Sequence, residues 1–208
     1  MQNIFLVYIG RDQKDVQAYE CVLSFSQLTV EEASGRQFDA DDFVIITSGT
    51  TPYHAAAEDP EMQSVIAMLR KLSKSHTKTL AIGVGMSALA LAFDGEVEDH
   101  SERAEAGVVE IHRLAPAEGD AVFGDIPETF SAVAYRHDDI MQLPIEFVPL
   151  ANSKMAQFHA IKLAGKPVYG LQFDPLLSVA HENLSVVDHV TIQQMLVDLS
   201  LPVKNVDN

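Results

Sequence analysis

The chain has 208 residues, 47% of them hydrophobic and 21% charged, with 11 glycines and 9 prolines, an ordinary globular composition. A chain of this length buries roughly 70% of the surface its unfolded form exposes, so it needs no disulfide or metal to hold it together. Its 30 acidic residues against 14 basic ones leave a net charge of −16. That field repels phosphate backbones and anionic lipid heads, so neither nucleic acid nor a membrane is an expected partner. No apolar run approaches the roughly 20 residues of a membrane helix. The first eight residues lack the basic start of a secretory signal. Cys21 is the single cysteine, which forbids an intrachain disulfide and suits a reducing cytoplasm.

Residues 3–9 form an apolar run ending at Gly10 and read as a buried strand. Residues 15–23 read as a helix with Val16, Tyr19 and Val22 or Leu23 on one face. Residues 28–30 read as a second strand. Residues 43–46, apolar and largely β-branched, break at Ser48-Gly49 and form the clearest strand. Asp59-Pro60 opens a helix whose apolar face is Met62, Val65, Ile66, Met68, Leu69 and Leu72. Residues 79–82 are another strand, running into Gly83-Val84-Gly85 and a helix over 87–93 that Gly95 ends. The second half changes character: 107–114, 131–135, 145–150, 158–163 and 168–173 read as strands between Gly and Pro punctuation. A last helix over 188–199 carries Val190, Ile192, Met195, Leu196 and Leu199, and residues 204–208 form a frayed tail.

Strand–helix alternation followed by a strand-rich segment predicts one α/β domain over residues 1–203. Its expected form is a flavodoxin-like three-layer sandwich, with a mostly parallel central sheet and an antiparallel extension in the second half. Ligands in such sheets sit beyond the carboxyl ends of the strands, which directs attention to 47–51, 83–87 and 174–177.

Ala81-Ile82-Gly83-Val84-Gly85-Met86-Ser87-Ala88-Leu89-Ala90 and the residues to Val97 resemble, without a gap, the G-I-C-x-G-H-Q-x-L-A-x-A-x-G-G-x-V strand–turn–helix of the class I glutamine amidotransferases. Further blocks follow in the family's order. Residues 42–49 resemble D-x-x-I-I-S-G-G, and Glu105-Ala106-Gly107 resembles E-x-G. Arg136-His137-Asp138-Asp139 with Leu143-Pro144 resembles S-H-x-D…L-P. Leu150-Ala151-Asn152-Ser153 resembles L-A-x-S, and Gly170-Leu171-Gln172-Phe173-Asp174-Pro175 resembles G-x-Q-F-H-P. The likeness covers residues 40–180 and leans to the stand-alone, GMP-synthase-like members. It implies a domain that hydrolyses glutamine and passes ammonia to a synthase partner, using a cysteine thiolate on a sharp turn, a histidine and a glutamate.

This chain departs from the pattern where the chemistry sits. The resemblance places Gly83 at the nucleophile, Asp174 at the histidine and Leu176 at the glutamate, and Met86-Ser87 replaces the H-Q pair. A gap of two would put Gly85 at the nucleophile, which is glycine too. Cys21 lies in the first helix and reads as a structural or incidental thiol, packing as a small hydrophobe. No catalytic residue is therefore expected. Ser87 reads as a helix-capping hydroxyl and Ser48, Thr50 and Thr51 as turn residues; as nucleophiles they would need His54 or His137 as base.

The pocket is expected to survive around Ser48, Gly49, Thr50, Val84, Gly85, Met86, Ser87, His137 and Asp139. Its backbone N–H groups suit a small anion, while Asp174 would project a charge suited to an ammonium, so the expected ligand is amino-acid-like. His137 and Asp139, two apart on a strand, should share one face. Tyr53 and Tyr135 are candidate cleft aromatics. No cofactor is expected, and no metal, because His181 and His189 are not at the spacing of a helical zinc pair. Three readings follow. One is an inactive amidotransferase-like protein with a binding, regulatory or scaffold role, partnered by a synthase-type subunit or its own second copy. Another is an active amidotransferase or hydrolase with a hydroxyl nucleophile. The last is an unrelated flavodoxin-like binding module.

Overall fold

The computed structural model describes residues 2–10, 13–51 and 54–204; Tyr53 and residues 205–208 of the expected tail lie outside them. Four strands lead the first half: β1 (Ile4–Tyr8), β2 (Ser26–Leu28), β3 (Phe43–Thr47) and β4 (Lys78–Ile82). Between them lie helices α1 (Val16–Val22), α2 (Val30–Gly35) and α3 (Pro60–Lys74), and α4 (Val84–Leu91) follows β4. Next come β5 (Glu96–Asp99), β6 (Glu105–Arg113), β7 (Thr129–Arg136), β8 (Asp138–Gln142), β9 (Phe147–Ser153), β10 (Ala160–Leu163) and β11 (Val168–Leu171). Helices α5 (Pro175–Val179) and α6 (Val186–Asp198) close the chain.

Nine strands form one sheet in the order β2-β1-β3-β4-β11-β10-β9-β6-β7, and β5 pairs with β8 apart from it. The first five are parallel and the last four antiparallel, as the alternation predicts. β1, β3 and β11 are buried at every position, which is why they read as unbroken apolar runs. Helices cover both faces: one core gathers Tyr19, Val22, Leu176 and Ile192, the other Met62, Leu69, Met86 and Leu89.

Several expectations are corrected. Val30 belongs to α2 and not to a strand, because Thr29 and Glu32 form a reciprocal capping box that starts a helix there. α4 begins at Val84, not Ser87, because Gly83 turns the chain from strand to helix in one residue at φ 56°. Ile145 is fully exposed and β9 starts only at Phe147. Val190 points to solvent on α6 with Val186 and Val197. Cys21 is exposed, so it does not pack as a small hydrophobe.

Candidate functional site

A cleft of about 180 Å³ opens at the carboxyl ends of β3 and β4, beside the β7–β8 junction. Two of the three expected segments reach it: Ser48, Thr50 and Thr51 after β3, and Val84 and Ser87 on α4. Tyr135, Arg136, His137, Asp138, Glu105 and Gln172 complete the wall. The third segment, from Asp174 onward, turns away.

Gly83 is the hinge of the site. Its φ of 56° with ψ of −117° is a conformation that only glycine adopts freely. A Cβ built there has nothing nearer than the Tyr135 carbonyl at 4.0 Å, so the turn has room for a side chain. Gly85 has none: its Cβ would lie 2.4 Å from the Ile46 carbonyl oxygen of β3. Of the two glycines, the one with room for a side chain is therefore Gly83.

Ser87 does not cap the helix. It lies in the second turn, fully buried, and its Oγ has no hydrogen-bond partner among the described residues. No imidazole is thus within reach of it among the described residues. Gln172 is likewise buried, with Oε1 unpartnered. These two polar residues line one cleft, where the hydrogen-bonding groups of a polar ligand would satisfy both. Met86 is fully buried and packs in the core, its Cγ near the Gly170 backbone, so it does not line the cleft.

The turn after β3 offers less than its sequence suggests. The Gly49 N–H donates to Thr47 Oγ1 at 2.9 Å, and the Thr50 N–H donates to Asp15 Oδ2 at 2.6 Å. Both donors are spent inside the protein, and Ser48 Oγ donates to the Thr51 carbonyl. The first-turn N–H groups of Val84 and Gly85 have no acceptor within their own helix; of the two residues Val84 lines the cleft, whereas Gly85 packs against the Ile46 backbone of β3 and does not.

Asp174 does not project into the cleft. It is buried and caps α5: Oδ1 accepts from Leu176 N at 2.9 Å and Leu177 N at 3.0 Å, and Oδ2 accepts the Tyr19 hydroxyl at 2.6 Å. Leu176 is fully buried in the core. Burial pushes the Asp174 carboxyl up to about 6, despite the bonds from Tyr19 and the α5 backbone. The folded state thus holds the proton more tightly than the unfolded chain, so the stabilisation is full below about pH 4 and is lost as pH rises through 6. The difference in unfolding free energy between wild type and Asp174→Asn should fall by about 2 kcal/mol between about pH 4 and pH 7. Urea titrations of both proteins across that range check it; parallel curves would refute it.

His137 and Asp139 do not share a face, because the chain breaks at His137 between β7 and β8. His137 lines the cleft, whereas Asp139 is buried behind it and binds Arg136 Nη1 at 2.7 Å and Arg103 Nη1 at 2.9 Å. The Arg136 side chain is only 1% exposed. Its Nε donates to Glu105 Oε2 at 2.6 Å, and its Nη1 also holds the Asp138 carbonyl at 2.9 Å. Glu105 further accepts from Ser153 Oγ at 2.8 Å and meets His159 Nε2 at 3.1 Å. Burial pushes Glu105 up, but the His159, Arg136 and Ser153 contacts more than offset it and hold it at about 2. In the sequence Glu105 and Arg136 stand out only as motif letters. Their role is not visible there because the network joins residues up to 54 positions apart.

The class I glutamine amidotransferase model matches residues 15–191. Among curated relatives, a glutamine-hydrolyzing GMP synthase subunit of Methanocaldococcus jannaschii is 36% identical over 49% of this chain and 51% of its own length. The same-named protein of Methanococcus aeolicus is 28% identical over 68% of this chain and 79% of its own. The match thus spans about half of the first relative. Among solved structures, a putative GMP synthase subunit protein from Thermoplasma acidophilum superposes with TM-score 0.70 at 17% identity, over 95% of this chain and 94% of that one. A glutamine amidotransferase from Thermotoga maritima gives 0.68 at 14%, over 95% and 98%. With the model covering most of its length and the fold shared end to end, the chain belongs to the class I glutamine amidotransferase family.

Proposed function

We propose that this chain is an amidotransferase-type domain that does not hydrolyse glutamine and works instead as a binding and docking subunit. The observation that carries this reading is Gly83, which occupies the sharp strand-to-helix turn with no side chain to attack an amide. Asp174 and Leu176 serve the α5 cap and the core, so neither activates a nucleophile. The cleft itself persists, and the unpartnered Ser87 Oγ and Gln172 Oε1 suit the amide or ammonium of a small amino-acid-like ligand, with its carboxylate toward the first turn of α4. The relatives are by name one subunit of a GMP synthase, which supports a synthase-type partner. The hydroxyl-nucleophile reading is disfavoured at Ser87, which has no base against it, and at Ser48, whose hydroxyl donates to the Thr51 carbonyl, whereas Thr50 Oγ1 donates to the Asp15 carboxylate at 2.9 Å.

Titrating glutamine into the purified protein should give saturable heat, weakened by about 1 kcal/mol in Ser87→Ala and in Gln172→Leu, with no ammonia released. Ammonia release would defeat the reading. No saturable binding of glutamine, glutamate or asparagine would remove its ligand-binding half.

A further inference from the structure

The mouth of the cleft holds a second cluster that the amidotransferase reading does not use. Asp99 ends β5 and Asp138 begins β8, and the two face each other directly across that antiparallel pair. Like charges opposite one another destabilise a ladder unless a cation lies between them. The neighbouring guanidinium groups are committed elsewhere: Arg136 to Glu105 and Asp139, and Arg103 to Asp139. What lies between the two carboxylates is His137, its Nδ1 3.1 Å from Asp99 Oδ1 and 3.5 Å from Asp138 Oδ1. The His100 N–H donates to the His137 carbonyl at 2.9 Å and clips the two strands together at this point.

One ligating atom from each of Asp99, His137 and Asp138 lies within 4.8 Å of the others. Donors about 2.0–2.2 Å from a tetrahedral ion stand roughly 3.3–3.6 Å apart, and the two histidine–carboxylate separations lie close to that spacing. The Asp138 carboxylate is held in place by the Ala55 N–H, which donates to Oδ2 at 2.9 Å, while Oδ1, the oxygen that faces His137, also meets His54 Nδ1 at 2.6 Å. The Asp99 and His137 side chains are 50% and 24% exposed, so an ion can enter from solvent. His137 and Asp138 line the cleft, so the remaining coordination positions face it.

We propose that Asp99, His137 and Asp138 bind one divalent first-row transition ion at the mouth of this cleft. One imidazole and two carboxylates suit Zn²⁺, Mn²⁺ or Co²⁺, and three protein donors leave positions open toward a cleft ligand. The site is independent of what Gly83 does. Sequence spacing does not reveal it, because the donors sit on β5 and at the β7–β8 junction and meet only through strand pairing.

The test is calorimetric titration of Zn²⁺ into chelator-stripped protein, with Mn²⁺ and Co²⁺ run alongside. One equivalent should bind, and Asp99→Asn and His137→Ala, both at partly exposed positions, should each weaken binding about tenfold or more. A His181→Gln, His189→Gln double variant should bind as wild type does. Bound Zn²⁺ should also raise the melting temperature of wild type and not of His137→Ala. Absence of saturable binding for all three ions would overturn the proposal, as would one-to-one binding that neither Asp99→Asn nor His137→Ala weakens.

Discussion

Replacing Arg136 with methionine is expected to destabilise the protein by about 3–5 kcal/mol, because it leaves buried carboxylates without their counter-charge. Glu105 and Arg136 are direct partners across β6 and β7, and Arg136 also carries Asp139 and the Asp138 carbonyl. Asp139 keeps Arg103 when Arg136 is lost, whereas Glu105 keeps only Ser153 and His159. Burial lowers the His159 pKa below its usual value, so a neutral ring donates from Nε2 and supplies no full charge. Adding Glu105→Gln to the Arg136 variant should therefore recover part of the loss. Urea unfolding at neutral pH measures both steps; a loss under about 1 kcal/mol, the scale of a surface pair, would show that the network does not behave as a buried one. Because Arg136 holds the backbone of Asp138, the variant should also loosen the β7–β8 junction that walls the cleft.

Gly85→Ala should cost about 3 kcal/mol, against about 1–2 kcal/mol for Gly83→Ala, although only Val84 separates the two glycines. At Gly85 the new methyl would meet the Ile46 carbonyl oxygen at 2.4 Å and its carbon at 3.2 Å, both backbone atoms of β3. α4 would have to lift off the sheet, and the better helix propensity of alanine, worth at most about 1 kcal/mol, cannot offset that. At Gly83 the methyl finds space, and the cost is the positive φ. Thermal unfolding should separate the two by several degrees, at about 2–4 °C per kcal/mol for a chain of this size. The reverse order would mean that the strand-to-helix turn is not centred on Gly83.

The parallel half of the fold was legible because β1, β3 and β4 are apolar runs bounded by glycine or acidic turns, and α3 presents a clean amphipathic face between Pro60 and Lys74. β5 and β8 were not, since Glu96–Asp99 and Asp138–Gln142 are acidic, short and paired only with each other. α5 was missed because five residues carry no period; the Asp174-Pro175 cap that starts it lies in a motif read for catalysis. The strand ends at Ser48 and Gly83 were found from the alternation alone, whereas the resemblance supplied Gln172 and His137 as motif letters without their place in the wall. The direction of Asp174 could not be read, because whether a carboxylate faces a cleft or caps a helix depends on Tyr19, 155 residues away. The spent donor at Thr50 was hidden for the same reason, its acceptor Asp15 lying 35 residues away.

Gly83 has no side chain with which to attack glutamine, and the proposed absence of hydrolysis rests on that. The measurement that tests it most directly is ammonia and glutamate release from glutamine by the purified, unaltered chain, run beside Ser87→Ala. The expected result is no glutamine-dependent release from either protein, with the fold intact. Sustained turnover by the unaltered chain would contradict it, and loss of that turnover in Ser87→Ala would locate the nucleophile on α4.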